Sequence, residues 1–299
     1  MLLARRTTAM LPNSALGTEI MHGLHDLNRD RHTGLRAGRL YIVVGHNPRT
    51  SLLAAATKVA DAKARGAKLI VVDLRRIGFA VKADCWLRVR PGTDAAIALA
   101  IAGVMIDQGW FDAKFVRAWT NGPFLVRDDS GTLLRSQILS DGGEPNGFVA
   151  WDEGRDEPIP YDIGERRYTM VPGRLAISGE IVVDTREGPI RCRPAFDLFA
   201  AKCRAMSPDD AAAISGVEPN TIRETARLLW HHRPVAHYTW TGLEQQTNAT
   251  QTDRAVAILH ALTGSVDVPG GNVHFAQVPV YDISGVEFRA PSGGKKHWV

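Results

Sequence analysis

Cysteine is scarce: Cys85, Cys192 and Cys203 are the only three in 299 residues, and no two stand at CxxC spacing. A disulfide framework or a local cluster-ligating motif therefore has no support. Cys85 falls inside the apolar run Cys85–Val89, where a buried, inert thiol is expected. Long apolar runs are also missing; nothing nears the ~18 residues that span a bilayer, so no membrane span is expected. Charge of one sign is not concentrated anywhere. The net charge of +4 is spread along the chain without a Lys/Arg block or basic–aromatic interleaving, which argues against a nucleic-acid partner. Arg5-Arg6 precedes no convincing apolar segment, so no export signal is read and a cytoplasmic location is expected as encoded. HExxH, GxSxG and Walker A patterns are absent. The ten histidines lack ligand spacing, and the adjacent His231-His232 are expected to serve a helix C-terminus.

What is present is an ordinary globular composition, 44% apolar and 23% charged, with room for one large or two medium domains. Leu40-Tyr-Ile-Val-Val44 is a short, continuously apolar run that stops at Gly45-His-Asn-Pro48, which reads as a buried strand. Ser51 to Arg65 predicts a helix with Leu52, Ala56, Val59 and Ala60 on one face, Thr50 or Ser51 as N-cap and Gly66 as terminator. Lys68-Leu-Ile-Val-Val-Asp73 is a second buried strand. The unit is βαβ, so the fold class is α/β: a Rossmann-like parallel sheet flanked by helices. Ligands of such sheets sit beyond the carboxyl ends of the strands, where Gly45, Asn47, Asp73 and Arg75 fall.

Further along, Ala83–Val89 reads as a third strand. Thr93-Asp94 opens a long helix over Ala95–Gln108, and Asp112 caps a short one ending at Trp119. From about 124 to 193 glycine, proline and charge become frequent, and short runs such as Arg167–Val171 and Glu180–Asp184 favour strand. A β-rich insertion is expected there. Helical period returns at Ala195. Ser207-Pro-Asp-Asp210 marks one helix start, and Glu218–Trp230 is amphipathic. Pro234–Trp240 is a strand ending at Gly242, and Glu244–Thr252 is a polar stretch running into a helix with Ala255, Ile258, Leu259 and Leu262. Residues 1–38 have no clean period. The expected division is thus a poorly defined segment at 1–38, an α/β domain at 39–265 and the start of an adjoining domain at 266–299.

A nucleotide over strand ends needs backbone donors for phosphate and a carboxylate for ribose or base. Gly45 allows close backbone approach and Asn47 donates and accepts; the alternative is that Gly45 and Asn47-Pro48 merely turn the chain and Asp73 stands exposed. Asp73 follows Gly45 by 28 positions (73 − 45), later than the ~20 of a dinucleotide fingerprint, and GxGxxG is absent. Asp94 has two readings: a first-turn acid complementing the helix dipole, or a carboxylate accepting from the N1–H and exocyclic amine of guanine. Arg75 or Arg76 could pair with phosphate or stand in solvent. The Thr241–Thr252 turn carries more amides and hydroxyls than a simple connector needs.

Val44-Gly-His-Asn-Pro48, Val71-Val-Asp-Leu-Arg75, Ala83-Asp84 with Trp86-Leu87, and Arg90-Pro-Gly-Thr-Asp94 together resemble the molybdopterin oxidoreductase family, dimethyl sulfoxide reductase type. Trp240–Asn248 and Leu262-Thr-Gly-Ser-Val-Asp-Val-Pro-Gly-Gly-Asn272 extend the resemblance in the same order. In that family two molybdopterin guanine dinucleotides hold one molybdenum or tungsten, and the matched stretch resembles the domain holding one of them. The resemblance implies that Gly45 and Asn47 face phosphate, that Asp73 and Arg75 meet the ribose and guanosine side, and that Gly92, Thr93 and Asp94 cradle guanine. It implies Trp240, Gly242 and Glu244 nearer the pterin, with Val72 and Leu74 as wall positions. It further implies a small-molecule redox substrate and, for partner, an iron–sulfur electron-transfer subunit; some members of the family are exported.

The chain departs from the family where Asp-Pro-Arg-x-Thr becomes Asp73-Leu74-Arg75-Arg76-Ile77, removing a proline and a hydroxyl from that edge. Family members are longer, with an iron–sulfur segment, a metal-ligand segment and a carboxyl-terminal barrel that have no counterpart here. No residue qualifies as a catalytic acid, base or metal ligand, so a fragment or short form of the enzyme is expected. The alternatives are a non-catalytic nucleotide-binding or assembly module that needs a partner chain, and an NAD-dependent dehydrogenase.

Overall fold

The computed structural model describes residues 39–45, 47–51, 53–139, 147–239 and 241–272. Its centre is a four-stranded parallel sheet of β1 (Leu40–Val44), β2 (Lys68–Val72), β3 (Cys85–Leu87) and β10 (Val235–Thr239), in the spatial order β10-β1-β2-β3. The register aligns Val44 with Val72 on one side and with Thr239 on the other. Every residue of β1 is buried because both faces are covered. Tyr41, Val43, Leu69, Val71, Ala236 and Tyr238 form one core under a single helix. Leu40, Ile42, Val44, Ile70, Val72 and Leu87 form the larger core on the opposite face.

The smaller core is roofed by α2 (Leu53–Ala64), which follows a separate turn, α1 (Pro48–Ser51). Helix therefore begins at Pro48, three residues before the expected start, since a proline at the first helical position costs no hydrogen bond. Thr50 and Ser51 consequently lie within the first turn and not at its cap. Ala56, Val59 and Ala62 face the sheet. Ala60 is exposed, contrary to expectation, because the stripe advances in steps of three; Leu52 lies outside the described residues.

The larger core is organised by α3 (Asp94–Asp107), whose DAAIALAIAGVMID sequence is apolar nearly all round and is buried accordingly. It packs against α5 (Ala195–Arg204), α6 (Pro208–Ser215), α7 (Pro219–His231) and α9 (Ala249–Thr263). Capping follows the sequence closely. Asp112 accepts from the Phe115 amide to start α4 (Ala113–Trp119), and Ser207 accepts from the Asp210 amide to start α6. Cys85 is buried, as expected, and burial pushes its thiol pKa up. His231 ends α7 with its ring edge-on to Trp110.

Between α4 and α5 lie two antiparallel sheets. One holds β4 (Leu125–Arg127), β9 (Gly188–Pro194) and β8 (Ile181–Thr185); the other holds β5 (Phe148–Asp152), β6 (Glu157–Asp162) and β7 (Arg167–Tyr168). Only Arg167 and Tyr168 of the predicted Arg167–Val171 strand join a ladder, and Val171 is left exposed. Asp152 closes β5 fully buried, and its carboxylate accepts from the Gly173 amide at 2.6 Å, the Gly154 amide at 2.9 Å and the Arg155 guanidinium at 2.8 Å. The Gly173 amide leads these donors in holding its pKa below the ordinary carboxylate value. A depressed native pKa supports the fold above the unfolded carboxyl pKa and loses that support as acid protonates the group. Asp152→Asn should thus cost about 2 kcal/mol at neutral pH, and the gap to wild type should close below about pH 4. Thermal melts over a pH series check this.

Candidate functional site

Because β10, β1, β2 and β3 run parallel, four loops leave one rim of the sheet together. The chain crosses from β1 to β2 and β3 on one side and returns to β10 on the other. The rim between β1 and β10 is therefore the topological switch point, where open α/β sheets bind ligands.

At that point Gly45 turns with φ +57°, its amide donating to the Val72 carbonyl at 3.1 Å. The Gly242 amide donates to the Gly45 carbonyl at 3.1 Å. A Cβ on Gly242 would stand 2.6 Å from the Gly45 carbonyl oxygen and 2.7 Å from its Cα, so neither position has space for a side chain. Gly242 lies in the short turn α8 (Thr241–Glu244), which Glu244 closes. Asn47, half-buried, lays its Oδ1 against Gly78, 2.8 Å from where a Cβ would be. Asn47 thus joins the β1 loop to the β2 loop.

Asp73 is pinned by its backbone. Its amide donates to the Leu87 carbonyl at 3.2 Å, and its carbonyl accepts from the Trp86 indole at 3.0 Å. One carboxylate oxygen accepts from the Arg75 amide at 2.8 Å, which folds the turn and leaves the Arg75 side chain exposed. Leu74 and Ile77, the two departures from the family pattern, are both exposed on this edge. The Val72 side chain belongs to the core beneath, so Val72 reaches the rim through its carbonyl alone.

The β3 loop carries Gly92 at φ +83°. The Thr93 hydroxyl donates to the Arg90 carbonyl at 2.7 Å, and no side chain caps the helix that Asp94 begins. Arg90 in turn donates to the Ala213 and Ile214 carbonyls, which anchors this loop on the end of α6. Asp94 is 7% exposed and among the described residues has no cationic partner. Burial raises its pKa, offset in part by a hydrogen bond from its own amide.

Gly45, Asn47, Asp73, Arg75, Gly92, Thr93, Asp94 and Gly242 therefore lie on the four loops of one rim, while Trp240 lies outside the described residues. Sequence reading missed Gly78 and Gln246 as individual residues. The surplus of amides in Thr241–Thr252 was the one signal pointing to Gln246. Among the described residues no group of three His, Cys, Asp or Glu side chains is placed to hold a metal ion. Among them also, no helix is long and apolar enough to cross a membrane.

A parallel sheet with a glycine-lined rim at its switch point and a buried carboxylate opening a rim helix defines an α/β domain with a candidate ligand site at the carboxyl ends of its strands. The chain belongs to the molybdopterin oxidoreductase family, whose model matches residues 11–289. It is 29% identical over 282 residues to a sulfite dehydrogenase chain of Allochromatium vinosum, covering 82% of this chain and 28% of that protein. It is 27% identical over 215 residues to the alpha chain of dimethylsulfide dehydrogenase from Rhodovulum sulfidophilum, covering 71% and 23%. Against the alpha chain of perchlorate reductase from Dechloromonas aromatica the identity is 28% over 261 residues, covering 78% and 28%. The chain thus spans about a quarter of the length of these relatives. The fold is also that of acetylene hydratase from Pelobacter acetylenicus, with a TM-score of 0.51 over 85% of this chain and 25% of that one at 20% identity. The dimethyl sulfoxide reductase-type resemblance and the α/β expectation both hold, and the nicotinamide-dehydrogenase alternative falls.

Contact between Gly45 and Gly242 implies a specific cost. Gly242→Ala should lower stability by about 2–3 kcal/mol, since backbone and not a flexible side chain blocks the new methyl. Gly66→Ala, where nothing stands within 4 Å but φ is +96°, should cost only about 1 kcal/mol. Chemical denaturation of the two variants side by side checks the order.

Proposed function

We propose that this chain binds the guanosine diphosphate end of a molybdopterin guanine dinucleotide, carrying molybdenum or tungsten, as part of a molybdopterin-dependent oxidoreductase. When bound, that group supplies metal-centred two-electron chemistry to a small-molecule redox substrate. The observation that carries the reading is Asp94, a buried carboxylate on the rim without a cationic partner among the described residues. Guanine alone among the standard bases offers two adjacent N–H donors, from N1 and the exocyclic amine, to the two oxygens of such a group.

The remaining rim residues fit the rest of the nucleotide. Gly45 and Asn47, on the loop that follows β1, border the phosphates. Asp73 keeps one carboxylate oxygen outside its own turn for ribose hydroxyls, and Arg75 offers an exposed cation to phosphate. Gly92 and Thr93 form the wall beside the base. Gly242 of the β10 loop is assigned to the pterin side. The named relatives are single chains of enzymes built from several, which supports an iron–sulfur electron-transfer chain for partner in the complete protein.

The test is titration of the full chain with GDP and with xanthosine diphosphate. Asp94→Asn exchanges one acceptor for a donor, mismatching guanine and matching the 2-carbonyl of xanthine. GDP affinity should fall, and xanthosine diphosphate affinity rise, by roughly 10- to 100-fold each. Only the ionised carboxylate accepts both guanine donors. Wild-type affinity should therefore fade on acidification through the raised Asp94 pKa, above the ordinary value of about 3.9, while the variant stays flat. A wild-type chain that ignores GDP, or an unchanged base preference in the variant, sinks the assignment.

A further inference from the structure

The β3 and β10 loops leave opposite edges of the sheet, with β1 and β2 between them. They nevertheless meet. The Gln246 side chain folds back so that Nε2 donates to the Gly242 carbonyl at 3.1 Å. Its Oε1 then lies over Gly92, 2.6 Å from where a Cβ would stand. The same residue's carbonyl accepts from the Ala249 amide at 3.3 Å, at the start of α9. One amide side chain thus touches both loops that open rim helices: the turn before Asp94 and α3, and the segment before α9. Neither helix start is otherwise held by a side-chain cap, since Thr93 bonds elsewhere and Asn248, at φ +82°, makes no cap bond. Below the rim α3 and α9 pack along each other, so their separation at the top fixes where Asp94 stands.

We propose that Gln246 is a positioning residue, a clasp that locks the Gly92 turn to the β10 loop and so presents the Asp94 carboxylate for nucleotide. The side chain acts through both ends of the amide. Nε2 anchors it on Gly242, which is itself pressed against Gly45, and Oε1 occupies the space that Gly92 leaves open. The clasp therefore ties the β3 loop to the switch point across the width of the sheet. This inference rests on the guanine reading only for its consequence in binding; the clasp itself is a property of the protein without ligand.

Gln246→Met keeps length and volume but removes the amide's donor and acceptor, and Gln246→Glu keeps an oxygen while losing the donor. Amide hydrogen exchange of the full chain without ligand is the first readout. In the Met variant, peptides covering residues 90–96 should exchange roughly five-fold faster, the loss of one neutral hydrogen bond, with β1 and β2 unchanged. Unchanged exchange over 90–96 overturns the clasp whatever the binding results. GDP affinity by calorimetry is the second readout. It should weaken roughly five-fold in the Met variant and by a similar factor in the Glu variant, whose anchor on Gly242 is also lost. Full affinity in the Met variant, beside a wild type that binds GDP and an Asp94→Asn variant that binds it roughly 10- to 100-fold more weakly, overturns the positioning role. Absence of GDP binding in the wild type overturns the guanine reading instead, and the exchange data then judge the clasp alone.

Discussion

The Gly242 amide donates to the Gly45 carbonyl across the ends of β10 and β1, with the two backbones in van der Waals contact. No side chain fits between them. The switch point of the sheet is consequently closed at its floor by main chain, and the loops above it have fixed heights. From Gly45 the constraint passes to the Val72 carbonyl and hence to the β2 loop, where Asp73 folds its own turn. From Gly242 it passes through Gln246 to Gly92 and the helix that Asp94 begins. The rim is thus a set of loops keyed together through glycines, each receiving an atom from another loop.

The fold below explains why that keying is stable. Two cores, one on each face, bury all of β1, and α3 is enclosed by α5, α6, α7 and α9. Burial on both faces is what makes β1 and β2 read as unbroken apolar runs, so the βαβ unit, the parallel sheet and the long helix at Asp94 were all legible from residue order. Caps were legible for the same local reason: Asp112 and Ser207 bond amides three positions ahead. The strands β5, β6 and β9 were not. Pro158, Pro160, Pro189 and Pro194 interrupt the pattern of β6 and β9. In β6 the Pro160 carbonyl still accepts from the Thr169 amide at 3.0 Å, so the strand pairs through an acceptor where proline has no donor.

The site was legible in part and for a different reason. Residue types that serve loops at strand ends, Gly45, Asn47, Asp73 and Asp94, sit next to breakers that mark those ends. Their convergence depends on strand order, which no short window contains: Gly45 and Gly242 are 197 positions apart (242 − 45). Gln246 was hidden further because a glutamine in a polar stretch has no local pattern. Its partner is an absence, the hydrogen of Gly92, and nothing in a sequence marks which glycine receives a neighbour.

The electrostatics of the rim follow from the same geometry. A carboxylate as buried as Asp94 would ordinarily recruit a cation, yet the described residues supply none. What the rim offers instead are two helix N-termini, of α3 and α9, the positive ends of their dipoles. Such dipoles lower the cost of keeping the carboxylate without neutralising it, whereas an arginine at hydrogen-bond distance would have occupied both oxygens. Burial meanwhile raises its pKa, so the free protein holds a group that gains from any ligand offering two donors. The clasp at Gln246 matters most in this setting. It holds two like-oriented helix ends side by side at one rim, an arrangement that their own dipoles oppose and that packing alone would hold less tightly.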